Sequence, residues 1–154
     1  MHQRLKPAEA SPAAYKAMRA LDQHVRECGL EPTLIELVKT RASQINGCAF
    51  CIHMHSADAM RHGETPARLL LLSAWQESPL YSERERAALA WTDTLTRLPE
   101  TGAPQEIYEE AARHFTPKEL VDLTVLIGLI NAWNRLGVGF ALVHPMDQGV
   151  TGSA

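Results

Sequence analysis

The placement of its prolines, glycines and capping residues does more than any other feature to limit how this chain can fold. Ser11-Pro12 sets a hydroxyl before a proline at a first helical position, and Gly29 follows Cys28 where that helix should stop. Pro32 opens a second helix carrying Leu34, Leu37, Val38 and Ile45 at apolar spacings of three, four and seven, closed by Asn46-Gly47. A third is expected to take Asn46 or Gly47 as its cap and to end at His62-Gly63, and a short one follows Thr65-Pro66. Ser82-Glu83-Arg84-Glu85 is a capping box, with Ala88, Leu89, Trp91, Thr92 and Leu95 on one broad face behind it. Pro104 starts a helix to about His114. Thr116-Pro117-Lys118-Glu119 repeats the capping device and opens the longest helix, to about Val143, in which Gly128, Gly137 and Gly139 permit close backbone approach. No stretch alternates with the period of a half-buried strand. The reading is an all-α, antiparallel bundle of about six or seven helices.

A chain of 154 residues can bury a core without metals or staples, and the expectation is one domain over 1–154 with its core at about 14–143. The formal net charge is −3 and the basic residues are scattered singly or in pairs, which argues against nucleic acid as partner. The first residues lead into no apolar run, so no secretory signal is expected and the cytoplasm is the expected compartment. The most apolar segment, Leu120 to Val143, is interrupted by Asp122, Asn131, Asn134 and Arg135, which argues against a membrane span.

Chemistry concentrates in Cys48-Ala49-Phe50-Cys51-Ile52-His53-Met54-His55. If the segment is helical throughout, Cys51 lies about 60° and His55 about 20° from Cys48, so two thiols and a base share a face. A bond between Cys48 and Cys51 would close a very small ring and make a poor structural staple, which leaves a chemical role. The helix N-terminus favours both thiolates, Cys48 more than Cys51, and His55 can take the thiol proton or stabilise the thiolate. Zinc is the competing reading, with Cys48, Cys51, His53 and His55 as potential ligands. His53 points about 140° from Cys48, however, and there is no second pair to close a tetrahedral site. Ile52, standing where a covalent haem signal needs histidine, argues against that cofactor. Cys28, the third and odd cysteine, reads as a small buried hydrophobe near a helix end.

Glu36 followed by Cys48-x-x-Cys51-x-x-x-His55, on two helices joined by a tight turn, resembles the alkyl hydroperoxidase D-like branch of the carboxymuconolactone decarboxylase superfamily. The stretches Tyr81–Thr92 and Asn131-Ala132-Trp133-Asn134-Arg135 share the likeness, which runs from about Ala14 to Val143. The resemblance implies an all-α homo-oligomer that reduces hydroperoxides or another small oxidant through the cysteine pair. It makes Cys51 the peroxidatic thiol, Cys48 the resolving thiol, and Glu36 with His55 a proton relay. It implies no metal and no cofactor beyond the redox-active disulfide, which an external thiol reductant, a protein or a small dithiol, would recycle. The superfamily's lactone decarboxylases lack this pair. Fuller relays in the family carry a second histidine between the cysteines, where this chain has Phe50, expected to point away from the thiols into the core.

Without the likeness, Glu36 falls with Thr33, Thr40 and Ser43 on a polar helix face and reads as a solvated carboxylate. Trp75, Trp91 and Trp133 read as core or interface. His2, His24, His62, His114 and His144 have no spaced partners. Asn131, Asn134 and Arg135 need bonding partners, near the site or across a subunit contact. The reading from a different class is a non-catalytic redox or metal sensor, or a binding module, using the same thiols without turnover.

Overall fold

The computed structural model describes residues 2–145. Met1 and residues 146–154, the ends of the span expected to form one domain, lie outside the described residues. Among the described residues there are helices and no strands: α1 (Pro7–Ala10), α2 (Pro12–Glu27), α3 (Pro32–Asn46), α4 (Ala49–Arg61), α5 (Pro66–Leu71), a 3₁₀ segment (Leu72–Glu77), α6 (Glu83–Thr96), α7 (Leu98–Thr101), α8 (Gln105–His114) and α9 (Pro117–Gly139). The all-α expectation holds. The count exceeds six or seven because α1, α7 and the 3₁₀ segment are single turns or little more, too short to show an apolar period.

Both capping boxes form. Ser82 and Thr116 accept from the backbone N–H of Glu85 and Glu119, whose carboxylates accept from the cap N–H groups in return. Gly47 adopts the left-handed conformation (φ 66°) that ends α3, and Gly29 and Gly63 turn the chain in the same half of φ space. α9 stops at Gly139 rather than near Val143. Ala141 takes a positive φ, Leu142 N–H bonds back to the Gly137 carbonyl, and the N-terminal arm covers the end of the helix. Arg4 donates its backbone N–H to the Phe140 carbonyl (3.0 Å) and its guanidinium to the Gly139 carbonyl (2.9 Å), placing a cation at the negative end of the helix dipole.

α3 is the central element, buried continuously from Leu34 to Ser43 and packed by α4, α6 and α9. Leu34, Ile35 and Val38 join Val25, Trp91, Leu123 and Ile127 in the larger core cluster, while Leu37 packs with Leu72, Trp75, Tyr81 and Leu89 in the smaller. So deep a helix buries its polar side chains too, and each charge has a partner. Arg41 grips the Asp93 carboxylate with two bonds of 2.6 and 2.7 Å, and Lys39 donates to Asp22 at 3.0 Å. The end of α3 is tied to α9 by amides: Asn46 donates to Asn131 (3.0 Å) and Asn134 (2.9 Å), and Asn134 donates to Ser43 (2.9 Å). The polar interruptions of the last helix therefore bond within the chain. They hold the turn that carries Cys48 against α9.

Candidate active site

Cys48 and Cys51 are joined as a disulfide, their Cα atoms 5.3 Å apart, and both are buried. Neither Asn46 nor Gly47 caps α4, because the Gly47 turn is spent ending α3. Cys48 itself is the N-cap, extended in backbone, and its Sγ accepts the Cys51 N–H at 3.3 Å. Cys48 thus stands outside the helix, where wheel angles do not apply, and Cys51 lies in the first turn. One thiol faces the helix N-terminus directly, and the other sits one turn from His55.

His55 is buried, and its Nδ1 lies 2.8 Å from Glu36 Oε2 across the α3–α4 contact. Glu36 is only 4 % exposed. The polar face with Thr40 and Ser43 is not solvated, because α4 and α9 cover it. An Nδ1–H donated to the carboxylate leaves Nε2 as the imidazole's free proton acceptor, and fixes the ring plane.

Lys39 was not singled out in the sequence. It is fully buried, with Nζ 3.0 Å from Asp22 and 3.9 Å from Glu36. Asp22 also accepts from Arg26 Nε at 2.9 Å. Burial pushes the Asp22 carboxyl up, but Lys39 and Arg26 outweigh it and hold the group below its ordinary value of 3.8. The cysteine pair is therefore backed by His55, Glu36, Lys39, Asp22 and Arg26 in sequence. Lys39 itself was the available signal, since a charge beside Leu37, Val38 and Ala42 needs a buried partner.

The disulfide lies between two cavities. The first, of about 360 Å³, is lined by Cys51 and His55 and walled by apolar groups that include Tyr15, Met54 and Trp133. The second, of about 420 Å³, reaches Cys48 past Gly47, Gly137 and Ala141. Phe50 lines both, so it is not core as expected but a partition between them. Trp133 packs against the larger core cluster and also meets Tyr15 edge to face (centroids 5.2 Å) at the first cavity. Gly137 of α9 backs the thiols so closely that a Cβ there would lie 2.6 Å from Cys48 Sγ.

Of the groups considered for zinc, His53 stacks on His144 (centroids 5.1 Å) and the cysteines bond each other. The metal-type donors that converge among the described residues are Glu36, His55 and Asp58, with ligand atoms within 4.8 Å of one another. Cys28 is half-buried with a free thiol that donates to the Val25 carbonyl.

A helical fold that presents a paired dithiol to a buried Glu–His couple defines the broad class of thiol-bearing all-α proteins. Residues 12–94 match the carboxymuconolactone decarboxylase family, and the chain belongs to that family. It is 39 % identical over 138 residues to the uncharacterized protein YdfG of Bacillus subtilis, covering 90 % of this chain and 94 % of that one. Among solved structures it superposes on ATU0492 from Agrobacterium tumefaciens, a protein of unknown function whose suggested identity is the antioxidant defence protein AhpD. The TM-score is 0.93 with 47 % identity, over 95 % of this chain and all of that one (100 %). The fold is thus AhpD-like. The debrominase Bmp8 shares the fold at a TM-score of 0.80 and 21 % identity, covering 89 % of this chain and 74 % of that one. No helix among the described residues is long and apolar enough to cross a membrane.

Proposed function

We propose that this protein is a thiol-dependent peroxidase that reduces hydroperoxides through Cys48 and Cys51. The observation that carries the reading is the buried 2.8 Å contact between Glu36 and His55, one helical turn from Cys51 in a cavity able to admit a small substrate. In the reduced protein His55 takes the Cys51 thiol proton, and the Cys51 thiolate attacks the terminal peroxide oxygen. The S–O bond forms as the O–O bond breaks, and the departing alkoxide takes a proton from His55 to leave as alcohol. Cys48 then attacks Cys51 Sγ, the S–S bond forms, and the sulfenic oxygen leaves as water. An external dithiol restores the pair by exchange, giving up two electrons and becoming a disulfide itself.

Glu36 orients the imidazole and compensates the imidazolium, and Lys39 balances the carboxylate inside the protein. The pairing of Cys48 with a cavity of its own supports attack by the reductant on Cys48, with Cys51 as leaving thiolate on the His55 side. The test is consumption of cumene hydroperoxide by purified protein with a dithiol reductant, alongside Cys48→Ser and Cys51→Ser and a metal assay. Turnover lost in both variants and independent of bound metal is the expected result. A wild-type protein that forms its disulfide but never turns over would instead assign a sensing role.

A further inference from the structure

The geometry points to a substrate with an apolar body and an anionic head, a carboxylate-bearing organic hydroperoxide, taken up by the cavity that holds Cys51; this inference rests on the peroxidase reading. The cavity has two unlike parts. Around the thiol its walls are apolar, with Phe50, Met54, Trp133 and Leu136 among them, and at about 360 Å³ it lies at the small end of ligand sites, the size of one ring or a short alkyl chain. Towards α1 and α2 it is lined by Lys6, Arg19 and Arg26, with Asp22 the sole carboxylate in the lining.

Partners account for two of those cations. Lys6 pairs with Glu9 (2.9 Å), and Arg26 shares Asp22 with the buried Lys39. Arg19, exposed on α2, makes no ion pair or hydrogen bond among the described residues. Counted with their partners and Glu36, four cations (Lys6, Arg19, Arg26, Lys39) face three carboxylates (Glu9, Asp22, Glu36). The cavity therefore carries an unbalanced positive charge on a chain whose formal charge is −3. A planar guanidinium offers two parallel donors to a carboxylate, and one with no internal partner breaks no ion pair in turning to a ligand. An apolar substrate without a charge would use only half of this lining.

The inference is tested on the reduced Cys48→Ser protein by protection of Cys51 from iodoacetamide, with octanoate or octanamide as competitor. Octanoate should protect at about fivefold lower concentration than octanamide, the factor that ~1 kcal/mol of partly exposed ion pairing gives. Arg19→Glu should abolish or reverse that preference, while the same charge change at the remote, exposed Arg113 on α8 should leave it intact. Equal protection by both competitors, better protection by the amide, or no protection by either would overturn the inference. A companion measurement compares kcat/KM for cumene hydroperoxide with that for its ring-carboxylated analogue, which should be the better substrate. If octanoate protects as described but neither hydroperoxide is consumed, the peroxidase reading fails and the anionic site stands.

Discussion

At the scale of single residues the site rests on charges moved out of water together. His55, Glu36, Lys39 and Asp22 are each less than a tenth exposed. Such a set holds only while every member is paired, since removing one partner of a buried ion pair strands the other at about 3–5 kcal/mol. If Glu36 acts on the thiolate only through His55, the two are one unit. Alkylation of Cys51 at neutral pH, in a Cys48→Ser background, should then slow by similar factors in Glu36→Gln, His55→Gln and the double variant. Additive effects would mean independent action. Asp22 supplies a pH dependence whose sign is fixed: its folded-state pKa is depressed, so its contribution is present above the ordinary value of 3.8 and is lost as pH falls through that value and below. The wild-type urea midpoint should fall on acidification from about pH 6 to about pH 3, and Asp22→Asn, less stable at the upper pH, should lose less over the same range.

At the scale of elements, the capping boxes, the Gly29 and Gly47 stops and the proline starts were legible because each is a local device whose chemistry lies within a few residues. What stayed hidden was non-local. The burial of Glu36 depends on α4 and α9 covering α3, and the partner of Lys39 lies 17 residues away on α2. A sequence pattern reports a polar face but not what another helix lays over it. Nor could it say that Cys48 would leave α4 to cap it, because Asn46-Gly47 can serve as either stop or start. Gly137 shows how tightly α9 constrains the thiols. Alanine there would gain roughly 0.5–1 kcal/mol of helix propensity. Its Cβ would press on a sulfur held by its bond to Cys51, an overpacking that costs about 1–3 kcal/mol. Gly137→Ala should therefore lower the urea midpoint of the oxidised protein, and a raised midpoint would show that α9 can move away.

At the scale of the whole molecule, the family likeness and the helix punctuation both anticipated the all-α fold. Neither could anticipate the two cavities or the arm from Gln3 to Lys6 beside them, which depend on that arm meeting the end of α9. α9 exposes two apolar side chains, Val121 (62 % exposed) and Val138 (51 % exposed), and the homo-oligomer that the family likeness implies would cover them. Light scattering at micromolar concentration should give a multiple of the 17.1 kDa chain mass, and a monomer mass would refute it.

In the proposed reaction Cys51 meets the oxidant and Cys48 resolves the product. This assignment is tested most directly by treating reduced Cys48→Ser and Cys51→Ser proteins with limiting hydroperoxide in the presence of a sulfenic acid trap, and locating the adduct by mass spectrometry. An adduct is expected on Cys51 in Cys48→Ser and none on Cys48 in Cys51→Ser. An adduct found only on Cys48 would contradict the assignment, and would mean that the helix N-terminus, not His55, selects the reactive thiol.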